Sequence, residues 1–245
     1  QADANAERSM YLRYRMIAHE LRDLAIDSNC APMVDLASSS THPFLKNRCY
    51  GSEPGRVAVL GRAVADGLLD GGVLPVVKHM PGHGRSTQDS HFDLPHVTAV
   101  PDALEETDFA PFAALNDLPM GMTAHLVFEA IDPKPATISP VMMELIREKI
   151  GFDGLIMTDD ISMKALAGSL SQRSRAALDA GCDVVLHCNG SLAERSLVAD
   201  TAGQMTPAAQ ARAEAALAKR ITPDDLDIPA VEEDLSRLMS GRTYG

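Results

Sequence analysis

The sequence predicts a single α/β domain built on parallel strands. Short apolar runs alternate with segments whose apolar residues recur at steps of three and four, the pattern of strands joined by helices. Polar groups stand at the ends of five such runs: Asp35, Lys78-His79, His125, Asp159 and His187-Cys188-Asn189. In a parallel α/β fold those positions gather at the carboxyl end of the sheet, where ligands bind. At 245 residues the chain suits one large core, a length that a single α/β barrel routinely reaches.

In order along the chain, Met10, Tyr14, Ile17, Leu21 and Leu24 fall on one helical face. Ala31 to Val34 reads as a strand ending at Asp35, an unusual one because Pro32 has no N–H for a ladder. A Ser/Thr-rich loop leads to a helix opened by Ser52-Glu53-Pro54, with Val57, Leu60 and Val64 on its apolar side and Gly71-Gly72 closing it. Val73 to Val77 is a buried strand, followed by a long polar loop. Leu104, Phe109, Phe112 and Leu115 suggest one helix, which Pro119 stops before a strand from Met120 to Ala124. Ser139-Pro140 is an N-cap with proline at the first helical position. The helix it opens carries Met142, Leu145 and Ile146 and ends at Gly151. Gly154 to Met157 is the next strand, then a helix around Arg173 to Ala180 closed by Gly181, then a fifth strand, Val184 to Leu186. Ala208 to Lys219 and Val231 to Leu238 read as helices covering the outside. No repeat, low-complexity tract or linker divides the chain.

Composition is that of a globular protein, 45% hydrophobic and 23% charged. No run approaches the roughly 20 apolar residues of a membrane span. A net charge of -12 argues against a nucleic-acid surface, which needs clustered Lys and Arg. Cys30, Cys49, Cys182 and Cys188 form no CxxC pair or zinc-finger pattern. A disulfide scaffold is not expected at this size, and a reducing, cytoplasmic compartment is. The chain opens on Gln1, with no signal-peptide pattern after it.

Chemistry concentrates between Lys78 and His91, KHMPGHGRSTQDSH. His79, His83, Asp89 and His91 are possible metal ligands. Against a metal, the spacing matches no helix-borne HxxxH site, and Lys78 would bring a positive charge to the ion. A plain structural loop is the other reading. Farther on, Asp159 ends a buried strand and can aim a carboxylate; by itself it is equally a helix cap, leaving the chemistry to Asp160.

KHMPGHGRSTQDSH resembles a signature of the beta-N-acetylglucosaminidase branch of glycoside hydrolase family 3: KH, a variable residue, PGHG, four residues, an acidic residue, Ser or Thr, and His. Met80 fills the variable slot, and Arg85 stands where an acidic or amide residue is frequent. GFDGLIMTDDISMKA, from Gly151 to Ala165, resembles the family's nucleophile strand. Asn47-Arg48-Cys49-Tyr50-Gly51 is similar to its arginine-bearing loop, and Ala180 to Asp183 adds a fourth match in the same order.

This resemblance implies a retaining exo-beta-N-acetylglucosaminidase acting on terminal beta-linked N-acetylglucosamine of peptidoglycan fragments, a substrate of the N-acetylglucosaminyl-muropeptide type, with no metal or organic cofactor. Asp159 would be the nucleophile. His91, oriented by Asp89, would be the general acid/base, a role that an imidazole of pKa about 6.5 suits. Arg48, Lys78 and His79 would donate to sugar hydroxyls, with His125 and Met163 lining the pocket. The family domain is a TIM-type (β/α)8 barrel, and the resemblance covers its last five strands of eight. The whole of 1–245 is therefore expected to be one catalytic domain, incomplete at its N-terminus, with an open five-stranded sheet. Partners beyond a carbohydrate substrate, and the oligomeric state, are not implied.

Overall fold

The computed structural model describes residues 2–88, 90 and 93–239. Its helices are α1 (Ala2–Asp23), α2 (Pro43–Lys46), α3 (Pro54–Asp70), α4 (Pro101–Glu106), α5 (Ala110–Ala113), α6 (Pro140–Glu144), α7 (Leu170–Ala180), α8 (Leu192–Ala202), α9 (Pro207–Leu217) and α10 (Ile228–Leu238). Its strands are β1 (Ser28–Asn29), β2 (Leu74–Met80), β3 (His96–Val97), β4 (Met120–Thr123), β5 (Val127–Phe128), β6 (Asp132–Pro135) and β7 (Leu155–Met157).

The central sheet has the order β1-β2-β4-β7, all parallel. Ala31 to Val34 does run beside β2: Val76 N donates to Ala31 O, Lys78 N to Pro32 O and Val34 N to Lys78 O. Pro32 has no N–H to return, so pairing there reduces to one bridge, Met33 with Lys78. The fifth strand is similarly reduced to a bridge between Val184 and Met157. Beyond it Leu186 N donates to the Thr158 hydroxyl instead of a backbone carbonyl. Five strand segments thus lie side by side.

Three expectations need correcting. Strand β2 continues to Met80, so Lys78 and His79 lie within it rather than after it. The helix expected across Leu104 to Leu115 is two short ones, broken at Thr107-Asp108. There buried Asp108 accepts from Arg85 Nε at 2.6 Å, and that ion pair competes with a continuous helix. Leu24 lies beyond α1 and is 73% exposed; Met10, Tyr14 and Leu21 of the expected face pack with buried Ala18 against α3, and Leu12 faces α10. Several features were not foreseen, β1 and α2 among them. A second sheet pairs β3 parallel with β5, and β5 antiparallel with β6. Helix α8 is capped by Ser191 and Glu194 but buries only Val198.

The alternation of each strand divides the core. Val77, Ala124 and Ile156 join Phe112, Phe128 and Phe152 on one side. Leu74, Val76, Met120, Met122 and Leu155 meet Ala216 of α9 on the other. With both faces covered, the strands read as near-continuous apolar runs. Helix α10 returns to α1, where Val231 and Leu235 bury Leu12. Among the described residues no helix is long and apolar enough to cross a membrane.

Candidate functional site

The carboxyl ends of the strands converge as the sequence predicts. Asp35, after the first segment, is 0% exposed and accepts from the ring and backbone of the second segment. His79 Nδ1 lies 2.7 Å from Asp35 Oδ2. The His83 N–H donates to Asp35 Oδ1 at 2.6 Å, and the His79 N–H is shared between both oxygens at 3.3 Å. The other edge of the His79 ring faces the pocket, with Nε2 3.9 Å from Asp159 Oδ2.

Asp159 and Asp160 are adjacent but differently used. Asp159 Oδ1 accepts the Asp160 N–H at 2.8 Å, and Oδ2 points toward His79. Asp160 accepts from Ser162 N, Ser162 Oγ and Cys188 N at 3.0, 2.8 and 3.2 Å. Its carboxylate organises the turn, and no helix begins at Asp159 for either residue to cap. His125 lies beneath them, fully buried, with Nδ1 2.7 Å from Thr137 Oγ1 and Nε2 3.1 Å from Asp160 O.

Electrostatics keep the acids ionised. Burial would raise the Asp159 carboxyl, but the charges of His79 and His125 and the Asp160 N–H outweigh it, so its pKa is lowered. Asp35 is lowered in the same way, burial being outweighed by the charge and hydrogen bond of His79 and by His83. His83 goes down to about 4, through burial first and then the nearby charge of His79. Burial likewise lowers His125, against the pull of Asp159. Lys78 is lowered by burial too, with Asp159 and Asp35 acting the other way.

A small pocket, with a cavity of about 20 Å³, opens over Asp159 and is lined by Arg48, His79, His83, Gln88 and Ser90 among others. Three expected site residues, Arg48, His79 and Asp159, therefore meet. Lys78 lines an adjoining cleft that shares Arg48. His125 and Met163 lie behind the wall: Met163 is 7% exposed, and its N–H donates to Asp160 O. Asp89 and His91 lie outside the described residues, though their sequence neighbours Gln88 and Ser90 line the pocket. Among the described residues no three His, Cys, Asp or Glu side chains group as a metal site.

Arg173 was not foreseen as part of this region, and Asp35 and His83 were expected in it without a role in the sugar site. Arg173 Nη1 donates to the carbonyls of Ile161, Ser162 and Met163, the loop that follows the two aspartates. A strand-end position marked Asp35, and PGHG marked His83; for Arg173, on the polar side of α7, no signal was present.

Known proteins share this architecture. A beta-hexosaminidase of Alkalilimnicola ehrlichii is 41% identical over 179 residues, covering 71% of this chain and 51% of that protein. Another, from Neisseria meningitidis serogroup B, is 38% identical over 180 residues, covering 71% and 50%. The chain spans about half the length of the curated relatives it matches. Among solved structures, a glycoside hydrolase family 3 beta-N-acetylglucosaminidase from Paenibacillus sp. matches with a TM-score of 0.86 at 28% identity, over 98% of this chain and 51% of that one. NagZ from Neisseria gonorrhoeae, in complex with N-trifluoroacetyl-D-glucosamine, gives 0.83 at 30% identity, over 97% and 71%. The glycosyl hydrolase family 3 N-terminal domain matches residues 2–222, a span that takes in the whole central sheet and every residue lining the pocket, and the chain belongs to that family.

Proposed function

We propose that this chain supplies the nucleophile and sugar pocket of a retaining exo-beta-N-acetylglucosaminidase, working as part of a single catalytic domain. The observation that carries the reading is the division of labour at the strand end: Asp160 is held by Ser162 and Cys188, while Asp159 keeps Oδ2 toward the pocket. An ionised, fixed carboxylate beside a polar pocket is what attack on an anomeric carbon needs.

In the first step Asp159 bonds to the anomeric carbon as the glycosidic bond breaks, and His91 gives its proton to the departing oxygen. In the second, His91 takes a proton from water, whose oxygen displaces Asp159 and restores the carboxylate. Asp89 orients the imidazole. Arg48 and Lys78 donate to sugar hydroxyls, His79 accepts from one at Nε2, and His125 and Met163 back the wall that holds Asp159. The substrate is terminal beta-linked N-acetylglucosamine on a peptidoglycan fragment of the muropeptide type. That finer assignment, and action in the cytoplasm, follow from the family resemblance.

A mechanism-based fluorosugar of N-acetylglucosamine tests this directly. One labelled peptide carrying the bond on Asp159 is expected; a bond on Asp160 overturns the assignment. Asp159→Asn is nearly isosteric and should abolish turnover of a chromogenic N-acetylglucosaminide without shifting the thermal midpoint appreciably. Unchanged turnover overturns the reading.

A further inference from the structure

We propose that Asp35 is a positioning residue for the nucleophile, acting through His79, whose ring it orients and whose tautomer it sets. The proposal rests on Asp159 being the nucleophile. Asp35 stands 44 residues before His79, yet its two oxygens take the Nδ1 edge of the ring and the backbone N–H groups of His79 and His83. One carboxylate therefore grips the ring and both ends of the turn that carries it. At 0% exposure it has no water to satisfy it, so these bonds account for its ionised form.

The consequence falls on the far side of the ring. An ionised carboxylate can only accept, so Nδ1 carries the proton. Nε2 is then the nitrogen presented to the pocket, 3.9 Å from Asp159 Oδ2. That separation is too long for a hydrogen bond, and the Asp159 carboxylate faces the dipole of the ring across a partly buried gap. The attacking oxygen keeps its lone pair while the ring fixes the field it sits in. An Asp35 that served only to fill the core would not need Nδ1, since the two backbone N–H groups would satisfy it.

The test reads the ring proton first and catalysis second. In the 245-residue protein with 15N-labelled histidine, long-range 1H–15N spectra should show the His79 proton on Nδ1, with His79→Gln identifying the signals. In Asp35→Asn the amide oxygen can keep the backbone donors, which turns the NH2 group toward Nδ1 and moves the ring proton to Nε2. With an aryl N-acetylglucosaminide, kcat should then fall by at least about tenfold, or ~1.4 kcal/mol of transition-state stabilisation, with KM little changed. Adding Asp35→Asn to His79→Ala should cost almost nothing more.

A wild-type ring protonated on Nε2 alone overturns the proposal, and needs neither a folded variant nor activity. A displaced proton with unchanged kcat overturns it as well. If the wild-type spectrum is as expected but the fluorosugar marks a residue other than Asp159, the nucleophile assignment fails while the hold of Asp35 on His79 stands.

Discussion

Between Asp35 and Ser90 the ring of His83 is 5% exposed, with Nε2 3.2 Å from Ser90 Oγ and Nδ1 without a hydrogen-bond partner among the described residues. Its pKa falls from 6.5 to about 4 because burial, then the nearby charge of His79, disfavours the imidazolium. The unfolded chain takes that proton near 6.5, so between pH 6.5 and 4 the unfolded state holds more protons. Stability therefore rises with pH across this window and is lost as pH falls through it. A shift of this size corresponds to about 3 kcal/mol. Urea denaturation should give a lower unfolding free energy at pH 4.5 than at pH 7.5, and His83→Gln should remove most of the difference; an equal drop in the variant would contradict the assignment. The depressed carboxyls of Asp35 and Asp159 act below this, their stabilisation being present above the unfolded pKa and lost as pH falls through their folded values. At the other end of the same loop, His91→Ala should slow substrates with poor leaving groups by about 10² to 10⁴-fold and spare activated phenols. Equal slowing of both would indicate a binding role. The sequence made His79, His83 and His91 conspicuous by clustering. It could not show that Asp35 grips two of them, since that bond exists only once the strands align.

Secondary structure was legible wherever an end was marked by its own chemistry. Ser139 accepts from Met142 N with Pro140 behind it, and Gly181 takes φ 117° at the end of α7, which only glycine adopts cheaply. Elements without such marks were lost. Strands β3 and β5 have two residues each, too few to show a period, and β6 reads Asp-Pro-Lys-Pro, a turn by composition. Gly84 shows how the histidine-rich loop is seated as a unit. A Cβ at this position would lie 2.0 Å from Leu36 O and 2.8 Å from Leu36 N, so the loop backbone packs directly on the segment after Asp35. Thr41 Oγ1 adds a bond to Gly84 O from the same side. Because the obstacle is backbone, Gly84→Ala forces the two segments apart, and overpacking of that kind costs about 1 to 3 kcal/mol. A lowered thermal midpoint is expected, together with faster amide exchange at His83, whose N–H bonds to Asp35 across the same contact. A variant with unchanged midpoint and exchange would show that the loop is not seated this way.

At the scale of the molecule, the convergence of five strand ends was readable because polar residues interrupt apolar runs at regular intervals. The reach of each strand was not, because proline at position 32 and the Thr158 hydroxyl each displace a ladder bond. The resulting sheet is open among the described residues, with Ser28-Asn29 at one edge and the Val184 segment at the other. An open edge offers unpaired backbone groups to another chain. Beside the second edge a groove lined by Leu178, Val184, Val185 and Met205 adds apolar surface. Opposing association is the net charge of -12, whose repulsion acts over a Debye length of about 10 Å at 0.1 M salt and about 3 Å at 1 M. Edge pairing and apolar contact are short-ranged and are not screened, so salt removes the barrier and leaves the attraction. The 245-residue protein should therefore gain mass with concentration, and more steeply at 1 M than at 0.05 M sodium chloride. Light scattering across a dilution series at the two salt concentrations measures this. A particle that stays monomeric in both would show that the edges are covered, and a mass that falls with added salt would show that any association is held by charge rather than by the sheet.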